Sequence, residues 1–209
     1  MKTTADTQTP VATSRCIAFF DFDGTITNRD SFLDFIKFDQ GKASFYWGFV
    51  WLLPSLIAYK LKLIPNWRAK EKVLTYFFKN TSLAEFQQRC DQYAKERLPH
   101  IIRAKALRAI KKHQAQGHDV YLVSASPENW LEAWCHRKGI RLIATRLEVV
   151  NERITGKLCG KNCYGPEKAA RIQQEIMLTD YHNIYSYGDS RGDKEMLALA
   201  DFSYYRPFH

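Results

Sequence analysis

Residues 19–27 read FFDFDGTIT and place two carboxylates, Asp21 and Asp23, directly after the apolar run CIAFF. In an extended chain, side chains two positions apart point to the same face, so this spacing holds two negative charges close together. The repulsion costs free energy unless a cation, a shared proton or both offset it. No Lys or Arg lies between Arg15 and Arg29 to act as a local partner. The stretch therefore predicts a buried strand that ends in a cation site or a proton-handling site.

The composition indicates a folded domain. The chain has 209 residues, of which 45% are hydrophobic and 14% aromatic, which is enough apolar surface for one substantial core. Residues 1–14 contain no apolar run of the kind a signal peptide needs, so we expect a flexible leader and a cytoplasmic protein. The five scattered cysteines favour free thiols, and Cys159 and Cys163 lack a second pair of ligands for zinc.

The net charge of +9 implies an anionic partner, and it is concentrated in residues 28–103, which carry 13 basic and 7 acidic side chains. Nucleic acid, anionic lipid and a phosphorylated substrate would each satisfy this charge. A nucleic-acid binder would not account for the acidic motifs, and the aromatic residues form an apolar block instead of alternating with Lys and Arg as a base-stacking groove requires. We therefore expect no nucleic-acid partner.

Three apolar runs, CIAFFDFDGT, DVYLVSAS and NIYSYGDS, each predict a buried strand that opens into a polar loop. Helical patterns lie between or after these runs, at residues 101–116, 128–138, 166–177 and 194–200. Strands that alternate with helices predict an α/β fold with a three-layer, Rossmann-like parallel sheet, whose functional groups gather at the carboxyl ends of the strands. The run LEVVNERITGKLCG predicts a β-hairpin with Asn151 and Glu152 in its turn.

One long segment interrupts this alternation. Residues 28–103 read as consecutive helices, so we expect a helical cap subdomain inserted after the first strand. The catalytic core would then consist of residues 1–27 and 104–209.

The acidic motifs exclude a regulatory calcium loop and indicate phosphoryl chemistry. A helix-loop-helix calcium site needs glycine at its sixth position and glutamate at its twelfth, but here Gly24 is fourth and Phe32 is twelfth. A carboxylate can instead attack phosphorus and form an aspartyl-phosphate, with a divalent cation such as Mg²⁺ to offset the repulsion between the two anions. Asp189 and Asp193 in YGDSRGD offer a second acidic pair for that cation.

Two further polar residues could hold the phosphoryl oxygens. Ser124 ends the predicted strand VYLVS, and Lys168 lies in the helical pattern GPEKAARI. A hydroxyl and an ammonium can both donate hydrogen bonds to phosphoryl oxygens. Taken alone, each is more often an ordinary loop or surface residue, so the prediction depends on the order in which all the motifs occur.

That order resembles the haloacid dehalogenase superfamily. The phosphoserine phosphatase-like branch of this superfamily has such motifs in the same order, with a helical cap between its first and second motifs. In this chain the motifs are DFDGT, Ser124 in LVSASP, Lys168 in GPEK, and GDSRGD. The resemblance implies a Mg²⁺-dependent phosphatase in which Asp21 is the nucleophile and Asp23 the general acid and base. Dehalogenation is disfavoured because a halide leaves without a proton, which would leave Asp23 idle. Phosphoryl transfer to another acceptor stays open.

The resemblance also implies roles for the remaining motif residues. Asp189 would bind Mg²⁺ together with the nucleophile and the backbone carbonyl of Asp23. Ser124 and Lys168 would hold the phosphate, and Asp193 would steady either the water shell of the metal or Lys168.

The substrate is expected to be set by the cap, which contains the uncharged stretch ASFYWGFVWLLPSLIAY, residues 43–59. A full crossing of a membrane would separate Asp21 from the other motifs, so three alternatives remain. The stretch could be buried in protein, enter one leaflet and return at Pro54, or lie in the interface with Trp47 and Trp51 among the headgroups. Basic flanking residues favour peripheral contact with an anionic membrane at its inner face.

The same stretch is similar to the apolar, Leu-Pro-containing cap segment of phosphatidylglycerophosphatase C enzymes, which implies a membrane lipid phosphate as substrate. Asp30 stands where phosphoserine phosphatases tend to carry Glu, and we expect it to contact the substrate. Soluble esters such as phosphoserine or histidinol phosphate are the alternative substrates, and a membrane-bound scaffold without turnover is the alternative outside catalysis. The sequence does not indicate an oligomeric state.

Overall fold

The computed structural model describes residues 15–209, so the predicted leader, residues 1–14, lies outside the described part of the chain. The strands are β1 (Cys16–Phe20), β2 (Asp119–Pro127), β3 (Arg141–Thr145), β4 (Leu147–Val150), β5 (Arg153–Leu158), β6 (Asn183–Gly188) and β7 (Phe202–Tyr205). The α-helices are α1 (Ser31–Lys60), α2 (Asn66–Phe78), α3 (Leu83–Glu96), α4 (Ala104–Ala115), α5 (Glu132–Lys138), α6 (Pro166–Glu175) and α7 (Lys194–Leu197).

Five strands form one parallel sheet in the order β3-β2-β1-β6-β7, which confirms the predicted α/β fold class. All five side chains of β1 are buried, because this strand lies at the centre of the sheet. Strands β3 and β7 were not predicted. Every residue of β7 is exposed, so FSYY lacks the apolar burial pattern that identifies an inner strand.

The side chains of β1 alternate between the two faces of the sheet, and each face packs against a separate apolar cluster. Ile17 and Phe19 face one side of the sheet and pack with Ile172 of α6, while Ala18 and Phe20 face the other side and belong to a separate apolar cluster. A strand buried on both faces has this unbroken apolar sequence in parallel sheets. The carboxyl ends of the neighbouring strands β2, β1 and β6 therefore meet at one edge of a sheet whose central strand is covered on both faces.

Helices α1, α2 and α3 all lie between β1 and β2 in the chain and pack on one another around Phe35. Its ring lies 4.7 Å from that of Trp130, 5.7 Å from Phe78 and 5.3 Å from Tyr93. Each helix contributes apolar residues three or four positions apart, as in Phe86, Cys90, Tyr93 and Ala94 of α3. The limits proposed for the cap, 28 and 103, stay a prediction.

The predicted hairpin is confirmed as β4 and β5, with Asn151 and Glu152 at positive φ of 49° and 56° in its turn. Two successive positive φ values are typical of the two-residue turn that matches the twist of a hairpin. Gly156 of β5 has φ of 84°, and a Cβ there would lie 2.4 Å from the Cα of Thr75 in α2. This glycine allows the hairpin to pack directly on α2.

Helix α1 does not turn back at Pro54, so that alternative for the apolar stretch was wrong. The only non-helical backbone inside α1 is at Gly41, with φ of 78° and ψ of 164°, and the helix continues through Pro54 to Lys60. Gly41 adopts this conformation without a steric cost from a Cβ. None of the helices among residues 15–209 is long and apolar enough to cross a membrane.

The predicted helix ends shift by a few residues. The pattern 101–116 begins at Ala104 instead, because Leu98–Ile101 form a separate 3-10 turn and Ile102 is extended. The pattern 128–138 divides into a 3-10 turn, Glu128–Trp130, and α5. The patterns 166–177 and 194–200 end early, at Glu175 and Leu197.

Candidate active site

Asp21 lies immediately after β1 and is 6% exposed. Its backbone N–H donates to the carbonyl of Tyr187 in β6 at 2.9 Å, which ties the first motif to the neighbouring strand. Gly24 then turns the chain with φ of 88°, and a Cβ there would lie 2.4 Å from a carboxylate oxygen of Asp189. The DFDG sequence therefore allows the first motif to approach the fourth more closely than any other residue type would permit.

Lys168 is buried between two of the predicted carboxylates. Its Nζ donates to Asp21 Oδ1 at 2.5 Å, to Asp193 Oδ1 at 2.7 Å and to the carbonyl of Val123 at 2.8 Å. Burial alone would lower the pKa of Lys168, but the charges of Asp21 and Asp193 outweigh burial and raise it. The lysine is therefore a fixed positive charge beside Asp21.

The two carboxylates of the last motif differ in how many partners they have. Asp193 Oδ1 accepts from Lys168, and Oδ2 accepts from the backbone N–H groups of Asp189 and Ser190 and from the Ser190 hydroxyl. Asp189 accepts only a 3.3 Å bond from Thr25 Oγ1 among the side-chain bonds described. Asp189 therefore keeps oxygen lone pairs available, whereas both carboxylate oxygens of Asp193 already accept hydrogen bonds from the protein.

Asp21, Asp189 and Asp193 each offer a carboxylate oxygen within 4.8 Å of the others. Lys168 is the ammonium that pairs with this cluster, through Asp21 and Asp193. A single positive charge against three carboxylates leaves negative charge that a divalent cation would offset. The residues present therefore fit the expected Mg²⁺, because Asp189 and the second carboxylate oxygen of Asp21 are available to bind it, whereas both oxygens of Asp193 already accept hydrogen bonds.

Asp23 is held by two serines that the sequence did not single out. Its Oδ1 accepts from the backbone N–H of Ser31 at 2.6 Å, and its Oδ2 accepts from the hydroxyl of Ser126, also at 2.6 Å. Burial and the nearby charge of Asp30 raise the pKa of Asp23, although both serines oppose the rise. A raised pKa favours the protonated form of the carboxyl, which a general acid requires.

The side chains of Asp21 and Asp23 face a cavity of about 280 Å³. Lys168, Asp193, Ser126 and the predicted cap residue Asp30 also line it. Ser124 is fully buried and does not line the cavity; its Oγ accepts from the Ser126 backbone N–H at 3.0 Å. Apolar side chains form much of the rest of the cavity wall: Phe32, Leu33, Phe49, Leu56, Ala69 and Val73.

Trp47 and Trp51 do not line this cavity, and their side chains are 68% and 74% exposed. Two roles were predicted for these tryptophans, contact with the substrate and contact with a membrane. Their position outside the cavity does not support contact with the substrate. The alternative in which the whole stretch is buried in protein was wrong, because one side of the helix faces outward.

Lys70 of α2 is a cavity residue that the sequence analysis missed. Its Nζ donates to the carbonyl of Ala125 at 2.7 Å and to Asn162 Oδ1 at 3.2 Å, and lies 5.7 Å from the centre of the Phe32 ring. Burial lowers its pKa to about 8, against the opposing charges of Asp23 and Asp30. The signal was available, since Lys70 is three positions before the buried Val73 on the same helical face.

Comparison with known proteins identifies the family. The family model described as haloacid dehalogenase-like hydrolase matches residues 18–198. The chain belongs to the haloacid dehalogenase-like hydrolases. This membership, together with relatives named as phosphatases, confirms the prediction of a phosphatase at the level of the family.

Two curated relatives illustrate the range of this haloacid dehalogenase-like family. Protein CicA of Caulobacter vibrioides is 35% identical over 191 residues, which cover 90% of this chain and 85% of that protein. Histidinol-phosphatase of Neisseria meningitidis is 26% identical over 204 residues, which cover 88% of this chain and 86% of that protein.

Two solved structures share the fold. A Bordetella pertussis protein of unknown function superimposes with a TM-score of 0.76 at 23% identity, over 90% of this chain and 88% of that one. A phosphoserine phosphatase, solved as a phospho-aspartyl intermediate analogue, superimposes with a TM-score of 0.63 at 16% identity, over 90% and 84% of the two chains. At these identities the likeness confirms the haloacid dehalogenase-like fold and nothing finer.

Proposed function

We propose that the protein is a Mg²⁺-dependent phosphomonoester hydrolase that works through an aspartyl-phosphate on Asp21. The observation that carries this proposal is the pairing of two unlike carboxyls in one cavity. Burial raises the pKa of Asp21 to about 7 against the opposing charge of Lys168, whose ammonium donates to it and favours its ionised form. Asp23 also has a raised pKa but has no basic side chain among its hydrogen-bond partners. One carboxyl is thus suited to attack, and the other to carry a proton.

In the first step, a carboxylate oxygen of Asp21 forms a bond to phosphorus, and the bond from phosphorus to the ester oxygen breaks. Asp23 gives its proton to the departing alkoxide, so the alcohol leaves neutral. In the second step, Asp23 takes a proton from water as the water oxygen bonds to phosphorus. The acyl-phosphate bond then breaks, which releases inorganic phosphate and restores both residues.

The other residues hold the reacting groups. Lys168 lines the cavity and would donate to phosphoryl oxygens. The same role for Ser124 stays a prediction, because its buried hydroxyl does not line the cavity. Asp21, Asp189 and the backbone carbonyl of Asp23 would hold Mg²⁺, which supplies positive charge against the repulsion between carboxylate and phosphate when it is bound. Asp193 fixes Lys168 and the loop after β6 through the hydrogen bonds described above.

For the substrate, we propose a membrane lipid phosphate such as phosphatidylglycerophosphate, taken from an anionic membrane surface. The apolar wall of the cavity supports this choice, because Leu33, Phe49, Leu56 and Val73 would contact the alcohol side of the ester. Apolar side chains next to a phosphate site favour a leaving group with hydrocarbon character.

A soluble ester is the second candidate, and Asp30 is the observation that favours it. Its carboxylate lines the cavity near Lys70 and would attract a cationic group on the alcohol, such as an amine or an imidazole. Histidinol phosphate and phosphoserine both carry such a group.

The test measures phosphate release from phosphatidylglycerophosphate in mixed micelles, beside histidinol phosphate and phosphoserine, each with Mg²⁺ and with a chelator. We expect Mg²⁺-dependent release from the lipid, and we expect Asp21→Asn to reduce it to background. The matched control is Asp180→Asn, which changes an exposed aspartate remote from the cavity. Release only from a soluble ester would replace the lipid substrate, and equal release by Asp21→Asn and the parent would overturn the mechanism.

A further inference from the structure

The half of α1 after Gly41 is apolar on two opposite sides. One side packs into the protein through the buried residues Gly48 and Leu52 and the partly buried Phe45, Phe49 and Leu56. The opposite side, which we call the cap aromatic face, consists of Tyr46, Trp47, Val50, Trp51, Leu53 and Ile57. Each of these six side chains is at least 50% exposed. A helix that is apolar all round normally has an apolar environment on both sides.

The exposed apolar surface continues beyond the helix. Leu61 and Leu63, in the turn after α1, are 64% and 73% exposed, and Trp67 at the start of α2 is 42% exposed. Single exposed apolar residues are common on soluble proteins, but a contiguous patch with several large aromatic residues marks an interaction surface.

Basic side chains border the cap aromatic face. Lys37 Nζ lies 5.4 Å from the centre of the Tyr46 ring, and Lys72 Nζ donates to Ser55 Oγ at 3.0 Å. Lys42, Lys60 and Lys62 are exposed at the two ends of the helical segment.

The acidic residues of the same region have partners elsewhere. Asp34 forms an ion pair with Arg97, and Asp39 forms one with Arg89. Glu71 accepts a hydrogen bond from the backbone of Leu158. Glu71 keeps its negative charge, so the border of the face carries the five lysines against one carboxylate without a basic partner and is positive on balance.

We infer that the cap aromatic face docks on an anionic lipid bilayer, with the outer half of α1 lying in the plane of the interface. Trp and Tyr side chains place an apolar ring among the acyl chains and a polar atom among the headgroups, and lysines at the border attract anionic lipid. A second copy of the chain would satisfy the apolar side chains, but a two-fold contact would set this basic border against itself.

The docking helix is also a wall of the catalytic cavity, since Leu56 and Tyr59 line it from the same segment. Docking would bring the cavity next to the headgroup region. The inference deepens the proposed lipid substrate, but its test needs no turnover.

The test is co-sedimentation of the full chain with vesicles. One set contains equal parts phosphatidylcholine and phosphatidylglycerol, and the other contains phosphatidylcholine alone. We expect binding to the anionic set, and a fall in the partition coefficient of about tenfold or more in Trp47→Ser/Trp51→Ser, because two large apolar side chains no longer enter the interface. The matched control, Met177→Ser/Tyr205→Ser, removes two exposed side chains that lie outside α1 and α2, after α6 and in β7, and should bind as the parent does.

Urea unfolding of both double variants checks that the fold is intact. The inference is overturned if the parent does not bind anionic vesicles, or if Trp47→Ser/Trp51→Ser binds as well as the parent. It is also overturned if sedimentation velocity shows a dimer that only this variant dissociates, since the face would then join two copies. Vesicle binding without release of phosphate from phosphatidylglycerophosphate supports docking and rejects the lipid substrate, so the two proposals fail separately.

Discussion

Asp23 is positioned by two serines that lie 8 and 103 residues away in the chain, Ser31 and Ser126. One is the first residue of α1 and the other lies near the end of β2, so the carboxyl is fixed where cap and sheet meet. A hydrogen bond at each oxygen holds the side chain in one orientation. The general acid and base proposed here is therefore oriented by its surroundings before any substrate arrives.

Lys70 connects α2 to β2 of the sheet through its hydrogen bond to the Ala125 carbonyl, and replacing it tests this contact. Lys70→Met removes the ammonium near Asp23 and Asp30 and the donor to the Ala125 carbonyl and Asn162. We expect kcat/KM to fall about 10- to 100-fold, mainly through KM, because a charged hydrogen-bond donor to the anionic substrate is lost. Steady-state kinetics at pH 7 would measure the effect, with Lys111→Met, an exposed lysine of α4 that does not line the cavity, as the matched control.

The same lysine predicts a pH effect. Its pKa is lowered to about 8, so it is charged below that pH and loses its proton as the pH rises through it. We expect kcat/KM of the parent to decline above about pH 8, and the decline to be absent in Lys70→Met. A decline of equal size in both proteins would show that another group causes it.

At this scale the sequence predicted which motif residues gather, because the carboxyl ends of parallel strands must meet. It did not predict Ser31, Ser126 or Lys70. Ser31 and Ser126 meet Asp23 only through the docking of α1 against β2, which no local pattern records. Lys70 had a local signal, its helical spacing before the buried Val73, which was not used. It also could not reveal that Ser124 is fully buried and does not line the cavity.

Among the elements, α1 depends most on a single small residue. Gly48 faces α2, and a Cβ at that position would lie 2.3 Å from the Phe77 ring and 2.6 Å from the Tyr76 ring. The backbone of α1 can approach α2 this closely only because Gly48 has no side chain.

We expect Gly48→Ala to destabilise the protein by about 1–3 kcal/mol, because the added methyl group forces the two helices apart. Urea denaturation would measure the change. Ser44→Ala, one turn earlier on an exposed position of the same helix, should change the free energy of unfolding by less than about 0.5 kcal/mol. An unchanged midpoint for Gly48→Ala would mean that α1 and α2 are less closely packed than described.

A substitution in the turn between β4 and β5 is expected to increase the stability of the protein. Glu152 has φ of 56°, a left-handed conformation that disfavours most side chains, and it stands where Asn-Gly turns place glycine. We expect Glu152→Gly to stabilise the protein by about 1 kcal/mol or less, because glycine adopts positive φ without the steric cost of a Cβ. The greater freedom that glycine loses on folding offsets part of this gain. The midpoint of thermal unfolding would report this, and Glu152→Ala, which keeps the Cβ, should give no gain.

Element boundaries were the weakest part of the sequence analysis for a physical reason. The helix 166–177 ends early because Ile176 is extended, with φ of −135° and ψ of 124°. The helix 194–200 ends at Leu197 although Ala198 keeps right-handed helical angles. The hairpin was predictable because two turn-forming residues separate two β-rich runs.

At the scale of the whole molecule, a buried histidine of α4 that contacts β6 of the sheet links stability to pH. His113 of α4 is 5% exposed; its Nε2 lies 2.9 Å from the Tyr187 hydroxyl and its Nδ1 2.8 Å from His118 Nδ1. Burial, with the charges of His118 and Lys112, lowers the pKa of His113 to about 4. The folded state therefore holds His113 neutral where the unfolded chain would protonate it.

Because its folded pKa lies below the unfolded value, this histidine disfavours folding as the pH falls from about 6.5 to about 4. We expect the free energy of unfolding to drop by at most about 3 kcal/mol from this group across that window. Urea denaturation at several pH values would measure the slope, and His113→Gln should flatten it. A slope that His113→Gln leaves unchanged would assign the effect to other groups.

The fold class was predictable because buried strands and amphipathic helices alternate along the chain. The strand order was not, and neither were β3 and β7. The apolar residues of β3 resemble part of a helix as much as a strand, and β7 has no buried residue at all.

The five tryptophans fall into two groups that a fluorescence experiment can tell apart. Trp130 and Trp134 are 0% and 2% exposed, so aqueous iodide cannot quench their emission until the core opens. The other three, Trp47, Trp51 and Trp67, lie on the outside of the helices between β1 and β2, where iodide reaches them freely. The protein thus carries two intrinsic reporters, and its emission can distinguish loss of the fold from a change at the cap surface without any attached dye.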